Sequence, residues 1–391
     1  MDPPPTVYLD NAATTRVAPE VIAAMLPFHA CAFGNASSRH RLGFQARRAL
    51  ERSRACIAAA LGCRPAELVL TSGGTEANNL ALFGGVAGAR CSQPHVVISA
   101  VEHPSVARAA EVLERRGVGL TRVGVDAQCR VDPRAVMAAV RPGTVLVSVM
   151  LVNHEVGTIQ PVAEIARCLQ GRPMLLHADA VQAFGKLPLT VSGLGVDLLS
   201  VSAHKIHGPK GVGALYVRRG VSLGPRQMGG DQEHGLRAGT ENVPAIVGFA
   251  TAVKLVHRRG YDAMRRVAGL RDAFEREILR SIPGASVNGG RVARAGHISN
   301  LNFPGVPSRW LVAQLDACGV LASPGAACSC ARPAPSPVLL AMGHTAATSR
   351  WAVRFSLSVE TTVDQLTRSV EVLRRLTRCW RHPCSLRPPK C

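Results

Sequence analysis

Between about residues 55 and 260, short apolar runs alternate with amphipathic stretches, and this alternation restricts the fold more than any other feature. The runs ELVLTS, HVVISAV, VLVSVML, MLLHADA, DLLSVSA and GALYVRR are too short for helices and rich in β-branched residues, so they are read as strands. TEANNLALFGGVA, SVARAAEVLERRG, DPRAVMAAV and PVAEIARCL, lying between them, are read as helices. Strands separated by helices imply βαβ units, and therefore an α/β fold with a mainly parallel sheet covered on both faces. After a long helix near 244–281 the pattern changes. HISNLNFP, LVAQLDACGV and AVRFSLS then point to a smaller α+β unit closed by the helix TVDQLTRSVEVLRRLTR.

The charge narrows the function little. Five lysines among 46 Lys and Arg residues leave 41 arginines, and the formal net charge is +20. A basic nucleic-acid-binding protein would explain that charge. However, the arginines are scattered along helices without interleaved aromatics, and aromatic content is 4%, so a solvated arginine-rich surface is the preferred reading and no specific nucleic acid is expected. No apolar run reaches the roughly 18 to 20 residues of a membrane span, and MDPPPTVYLD has no basic-then-apolar leader pattern, so a cytoplasmic protein without membrane contact is expected. Twelve cysteines form no C-x-x-C pair, so no metal site is assigned, and Cys56 and Cys168 are read as small core hydrophobes. Cys379, Cys384 and Cys391 share a basic tail with His382 that is expected to fray.

Ligands of open α/β sheets gather beyond the carboxyl ends of the strands, and the unusual polar residues fall there. ELVLTS runs into Gly73-Gly74-Thr75 at a helix start, where close backbone approach and free N–H groups suit a phosphate. VVISAVE delivers His103, VLVSVMLVN delivers His154, MLLHA delivers Asp179, and LLSVSA delivers His204 and Lys205. Any one of these has an ordinary structural explanation, but five at equivalent places define a site. The set suits pyridoxal 5'-phosphate. A lysine amine can condense with an aldehyde, whereas a guanidinium cannot. A carboxylate can hold the pyridine nitrogen protonated, and an imidazole can stack on the ring and move protons.

Taken in order, YLDNAATT, FGNASSRHRLG, TSGGTEANN, VEHPSV, HADAVQAFGK, SAHKIHGPKGVGALYV, LRAGTEN and GAACSC resemble the NifS/IscS-like class I cysteine desulfurases. These are fold-type I pyridoxal-phosphate enzymes of the class V aminotransferase group, and the resemblance runs from about residue 7 to 376. It implies a large domain (16–257) with a seven-stranded sheet. It also implies a small domain (1–15 and 258–380) carrying a cysteine loop (323–337), followed by a basic tail (381–391). Carried over by position, Lys205 is the cofactor lysine, Asp179 the partner of the pyridine nitrogen and Gln182 the contact to the ring hydroxyl. His103 stacks on the ring, and Gly74, Thr75, Ser202 and His204 hold the phosphate. Thr240 resembles the residue that reaches the cofactor of a neighbouring subunit, which implies a homodimer with shared sites. Arg354, with Asn153 and His154, falls where the substrate carboxylate binds. Cys328 matches the cysteine that accepts sulfur from L-cysteine as a persulfide and passes it to an acceptor protein; it is also a candidate for holding an iron–sulfur cluster in transit.

The sequence departs from the family pattern in places. VNHE stands where the family reads VNNE, placing His154 at a cofactor- and substrate-contacting position, and SLSV stands where it reads SLGR. The long C-terminal segment that some members use to dock an iron–sulfur scaffold is replaced by RCWRHPCSLRPPKC, and Cys330 adds a second thiol beside Cys328. Selenocysteine lyase is the nearest rival on this scaffold. An aminotransferase would share Lys205 and Asp179 but has no use for Cys328.

Overall fold

A computed structural model describes residues 6–325 and 334–381. Cys328 and Cys330, and His382, Cys384 and Cys391 of the tail, lie outside the described residues. After β1 (Val7–Tyr8), the strands β2 (Leu68–Thr71), β3 (His95–Ser99), β4 (Gly119–Val123), β5 (Thr144–Ser148), β6 (Leu175–Asp179), β7 (Leu198–Ser202) and β8 (Gly213–Val217) form one sheet in the order β2-β8-β7-β6-β5-β3-β4. Pairings β3–β4, β3–β5, β5–β6 and β6–β7 are parallel, while β8 runs antiparallel to both β2 and β7. The fold class expected from the alternation is therefore the one observed. The sheet has one strand more than the apolar runs reveal: β4 is an edge strand, only half-buried, and Thr121 and Arg122 interrupt its apolar character.

β3, β5 and β7 are buried throughout because helices cover both sheet faces. The two-residue period sorts their side chains. Val97, Leu199 and Val201 join a core with Ile57, Ile246 and Phe249, whereas Val96, Ile98 and Leu198 join Leu82, Val106 and Leu113 on the other face. Each such side chain contributes about 2 kcal/mol by leaving water. Of the cysteines expected in the core, Cys56 is half-buried and Cys168 is exposed. Cys168 sits on the solvent side of the short helix Val162–Leu169, whose Val162, Ile165 and Leu169 take the buried stripe.

The helix Val243–Ser281 is capped by Asn242, whose side chain accepts from Ala245 N at 3.2 Å, and it is broken at Gly260, with φ +65°. Ahead of that break Ile246, Phe249 and Val253 pack on the sheet. Beyond it Val267, Phe274 and Ile278 pack into a second core with Leu301, Phe303, Val353 and Phe355. That core lies against β9 (Ser286–Val287), β10 (Ile298–Asn302) and β12 (Ala352–Ser356), an antiparallel trio. β1 pairs in parallel with β11 (Val320–Leu321). From there the chain crosses to the large sheet, held by Asn11 Nδ2 donating to Ser356 O at 2.9 Å and Ala12 N donating to Ser356 Oγ at 2.8 Å. The N-terminal segment thus links the second core to the carboxyl ends of the strands.

Candidate active site

β6 ends at Asp179 and β7 ends one residue before the short turn Ala203–Lys205, so the sheet places a buried carboxylate and a half-buried lysine on adjacent strands. Lys205 Nζ donates to Ala12 O and Ala13 O, each at 2.6 Å. Asp179 accepts from Asn78 Nδ2 at 2.7 Å and from Val181 N at 2.9 Å.

Ser202 Oγ, at the end of β7, is buried without a partner among the described residues. Gly73 adopts φ +150°, open to glycine but strained for other residues, and starts the helix Gly74–Asn79 next to it. A Cβ on Gly74 would come 2.6 Å from Val181 Cγ2, so the glycine permits close packing of that helix start on the loop after β6. Thr75 stands exposed one residue on. His204 Nδ1 lies 3.1 Å from Thr14 Oγ1, and burial, reinforced by the charge of Lys205, pushes this imidazole down to about 3. It is neutral at any physiological pH.

His103 caps the helix Pro104–Arg115, and its ring meets His154 edge-on, with centroids 5.1 Å apart and planes at 73°. Burial lowers the pKa of both, and for His154 the neighbouring His103 and Arg354 lower it further. His154 Nδ1 has no partner among the described residues, while Nε2 lies 3.8 Å from Glu155 Oε1. Arg354, 2% exposed on β12, donates from Nη1 to His154 O at 2.9 Å and from Nη2 to Asp10 Oδ1 at 2.8 Å. Its Nε–H is unpartnered among the described residues.

Two expected ligand contacts are spent inside the protein. Asn153 Oδ1 accepts from Glu155 N and Val156 N, at 3.0 and 2.9 Å, and its Nδ2 donates to Val101 O at 3.1 Å. Its amide shapes the turn that presents His154. Gln182 donates from Nε2 to Ala12 O at 2.8 Å, while its Oε1 accepts from Lys186 Nζ and faces His297 Nε2, each at 3.1 Å. Thr240 is exposed on the segment before Val243–Ser281.

Asn78, Ser105, Lys186, Glu102 and His297 lie in stretches legible in the sequence, but nothing there assigned them a role. Lys186 is buried, and its amine is pushed well below the ordinary lysine value by burial and then by Lys205. Glu102 is pushed up to about 8 by burial, against the bonds it accepts from Ser99 and Met150. All five lie on buried surfaces where spacing carries no signal; TEANN and HPSV flag Asn78 and Ser105 only as parts of helix starts.

An amine at one strand end, an acid at the next, an unsatisfied hydroxyl beside a glycine-opened helix start and paired neutral imidazoles together fit pyridoxal phosphate. Comparison with known proteins agrees. Residues 7–368 match the Aminotransferase class-V family. The cysteine desulfurase IscS of Dictyoglomus turgidum is 41% identical over 370 residues, 95% of this chain and 94% of that protein. A cysteine desulfurase of Cereibacter sphaeroides is 43% identical over 369 residues, 94% of each. Among solved structures, a NifS-like protein superposes with a TM-score of 0.89 at 32% identity, covering 95% of this chain and 99% of that one. SspA in complex with cysteine gives 0.81 at 34% identity, covering 91% and 100%. The chain belongs to the class-V aminotransferase family, and within it to the NifS/IscS-like cysteine desulfurases. It is a pyridoxal-phosphate-dependent enzyme.

Because His154 stands where the family carries asparagine, it provides a direct test of the site. His154→Asn replaces a bulky imidazole with a smaller amide, and we expect KM for cysteine to change by about threefold to tenfold, the range of one neutral hydrogen bond. Steady-state kinetics check this, and an unchanged KM would remove His154 from the substrate pocket.

Proposed function

We propose that this enzyme removes sulfur from L-cysteine, releasing L-alanine and leaving a persulfide on Cys328 for transfer to an acceptor protein. The observation carrying this reading is the convergence of Lys205 and Asp179 at the ends of adjacent strands, close enough to the His103–His154 pair, as is Arg354, for their charges to act on His103. When the cofactor is bound, Lys205 would carry it, Asp179 would pair with the pyridine nitrogen, His103 would stack on the ring, and Ser202, Thr75, His204 and the Gly74 backbone would hold the phosphate. When bound, the cofactor supplies an electron sink that makes the substrate Cα acidic and loosens the Cβ–S bond.

The chain's own groups do the rest. Arg354 orients the substrate carboxylate through its Nε–H edge. Lys205 Nζ takes the Cα proton. The Cys328 thiolate forms an S–S bond as the Cβ–S bond breaks; the electron pair of that bond stays on the three-carbon fragment, which gains a proton and leaves as alanine. Cys328 thus has to be a thiolate able to move between substrate and acceptor. The exposure of Thr240 ahead of the long helix supports a role for it in a homodimer with shared sites. No helix among the described residues is long and apolar enough to cross a membrane, and we assign the enzyme to the cytoplasm.

The test is incubation with cysteine and no reductant, measuring alanine and the mass of the peptide bearing Cys328. We expect alanine together with one added sulfur on that peptide, and in Cys328→Ser a fall in turnover of about 10²-fold or more, as for loss of a catalytic nucleophile. Selenocysteine, whose selenide leaves without help, should be cleaved by Cys328→Ser at nearly the wild-type rate. Alanine release undiminished in Cys328→Ser with cysteine as substrate would overturn the persulfide.

A further inference from the structure

What the His103 ring can do depends on which of its nitrogens bears the hydrogen. Ser105 N–H donates to His103 Nδ1 at 3.1 Å, and Ser105 Oγ lies 2.8 Å from the same nitrogen. The Ser105 hydroxyl is itself held by a further residue, Asn78. Asn78 Nδ2 donates to Asp179 Oδ2 at 2.7 Å and to Ser105 Oγ at 2.8 Å, giving one hydrogen of the amide to each. The opposite amide orientation would turn Asn78 Oδ1 toward a carboxylate, so Asp179 fixes which way Asn78 points. Because the Ser105 N–H already makes Nδ1 an acceptor, the Ser105 hydroxyl, which accepts from Asn78, turns its own hydrogen to the same nitrogen. A nitrogen receiving two donors carries none of its own, and the neutral ring bears its hydrogen on Nε2. Asn78 and Ser105 are 1% and 9% exposed, which keeps water from competing for these bonds.

We propose that Asn78 and Ser105 are positioning residues that lock His103 as the Nε2–H tautomer, making this ring a hydrogen-bond donor and leaving the base's role to Lys205. The proposal deepens the desulfurase reading and rests on it for what the donor faces: a ring N–H favours an anionic sulfur over a neutral thiol near it. The bonds at Nδ1 run between Asp179, Asn78, Ser105 and His103, all groups of this chain. Through them the acid expected under the pyridine nitrogen and the imidazole expected over the ring form one relay, so a change at Asn78 reaches both.

The test has a readout independent of turnover. In protein labelled with ¹⁵N-histidine, with His103 assigned by difference against His103→Gln, we expect the unprotonated shift at Nδ1 and the hydrogen-bearing shift at Nε2, with or without cofactor. Ser105→Val and Ser105→Thr have the same shape and differ in the hydroxyl. Valine keeps the backbone N–H on Nδ1 but loses the hydroxyl donor, so it should admit a measurable fraction of the second tautomer and lower kcat about tenfold, the effect of one lost hydrogen bond, with KM unchanged, and threonine should restore both. A hydrogen on Nδ1 in the wild type, an imidazolium at neutral pH, or a Ser105→Val protein with the wild-type tautomer would overturn the lock. A locked tautomer in a protein that releases no alanine from cysteine would leave the lock standing and refute the desulfurase reading instead.

Discussion

Lys205→Ala is expected to lower alanine release from cysteine by roughly 10³-fold or more, the largest effect of any single substitution in this site. The residue has two tasks no neighbour can take over: covalent attachment of the cofactor and movement of the Cα proton. Arginine at this position should fail as completely as alanine, because a guanidinium keeps its proton and does not condense with an aldehyde. Folding should survive, since Lys205 is half-buried and its Nζ bonds two backbone carbonyls, Ala12 O and Ala13 O, in a segment also tied down through Ser356. Turnover assays and the visible absorbance of the bound cofactor, both compared with wild type at equal thermal stability, check this. Retention of more than a tenth of the wild-type rate in Lys205→Ala would refute the assignment.

Arg354→Gln should be the next most damaging change, and its effect should appear mainly in KM. A charge-assisted bond to a carboxylate is worth about 1.5–3 kcal/mol, which corresponds to a rise in KM of about 10- to 100-fold. The substitution also removes the partner of Asp10 and the donor to His154 O, so a lowered melting temperature should accompany it. Thermal unfolding separates the two effects: if only stability changes and KM stays put, Arg354 is a structural strut between β12 and the N-terminal segment, and the carboxylate binds elsewhere.

The parts of this molecule that were legible in the sequence are those where chemistry and periodicity coincide. Fully buried parallel strands such as β3 and β7 read as unbroken apolar runs, and their carboxyl ends display His103 and Lys205 as polar interruptions. β4 was not legible because an edge strand needs apolar residues on only part of its surface, and Thr121 and Arg122 conceal it. Cys168 misled because an apolar helical context does not say which face a residue occupies. Asn153 and Gln182 show another limit. Their positions match ligand-contacting residues, yet a side-chain amide serves a turn or a neighbouring lysine equally well, and only the coordinates show that both amides are engaged within the chain. The Asp179–Asn78–Ser105–His103 relay joins residues up to 101 positions apart, and no local pattern announces it.

The central claim is that Lys205, facing the same carbonyl as Gln182 and one strand away from Asp179, is the amine that holds pyridoxal phosphate. Reduction of the purified enzyme with borohydride, followed by proteolysis and mass spectrometry, tests it most directly. The account predicts a pyridoxyl group on the peptide containing Lys205 and none on the peptide containing the buried Lys186. An adduct on Lys186, or no adduct on any lysine of protein that carries the cofactor, would contradict it.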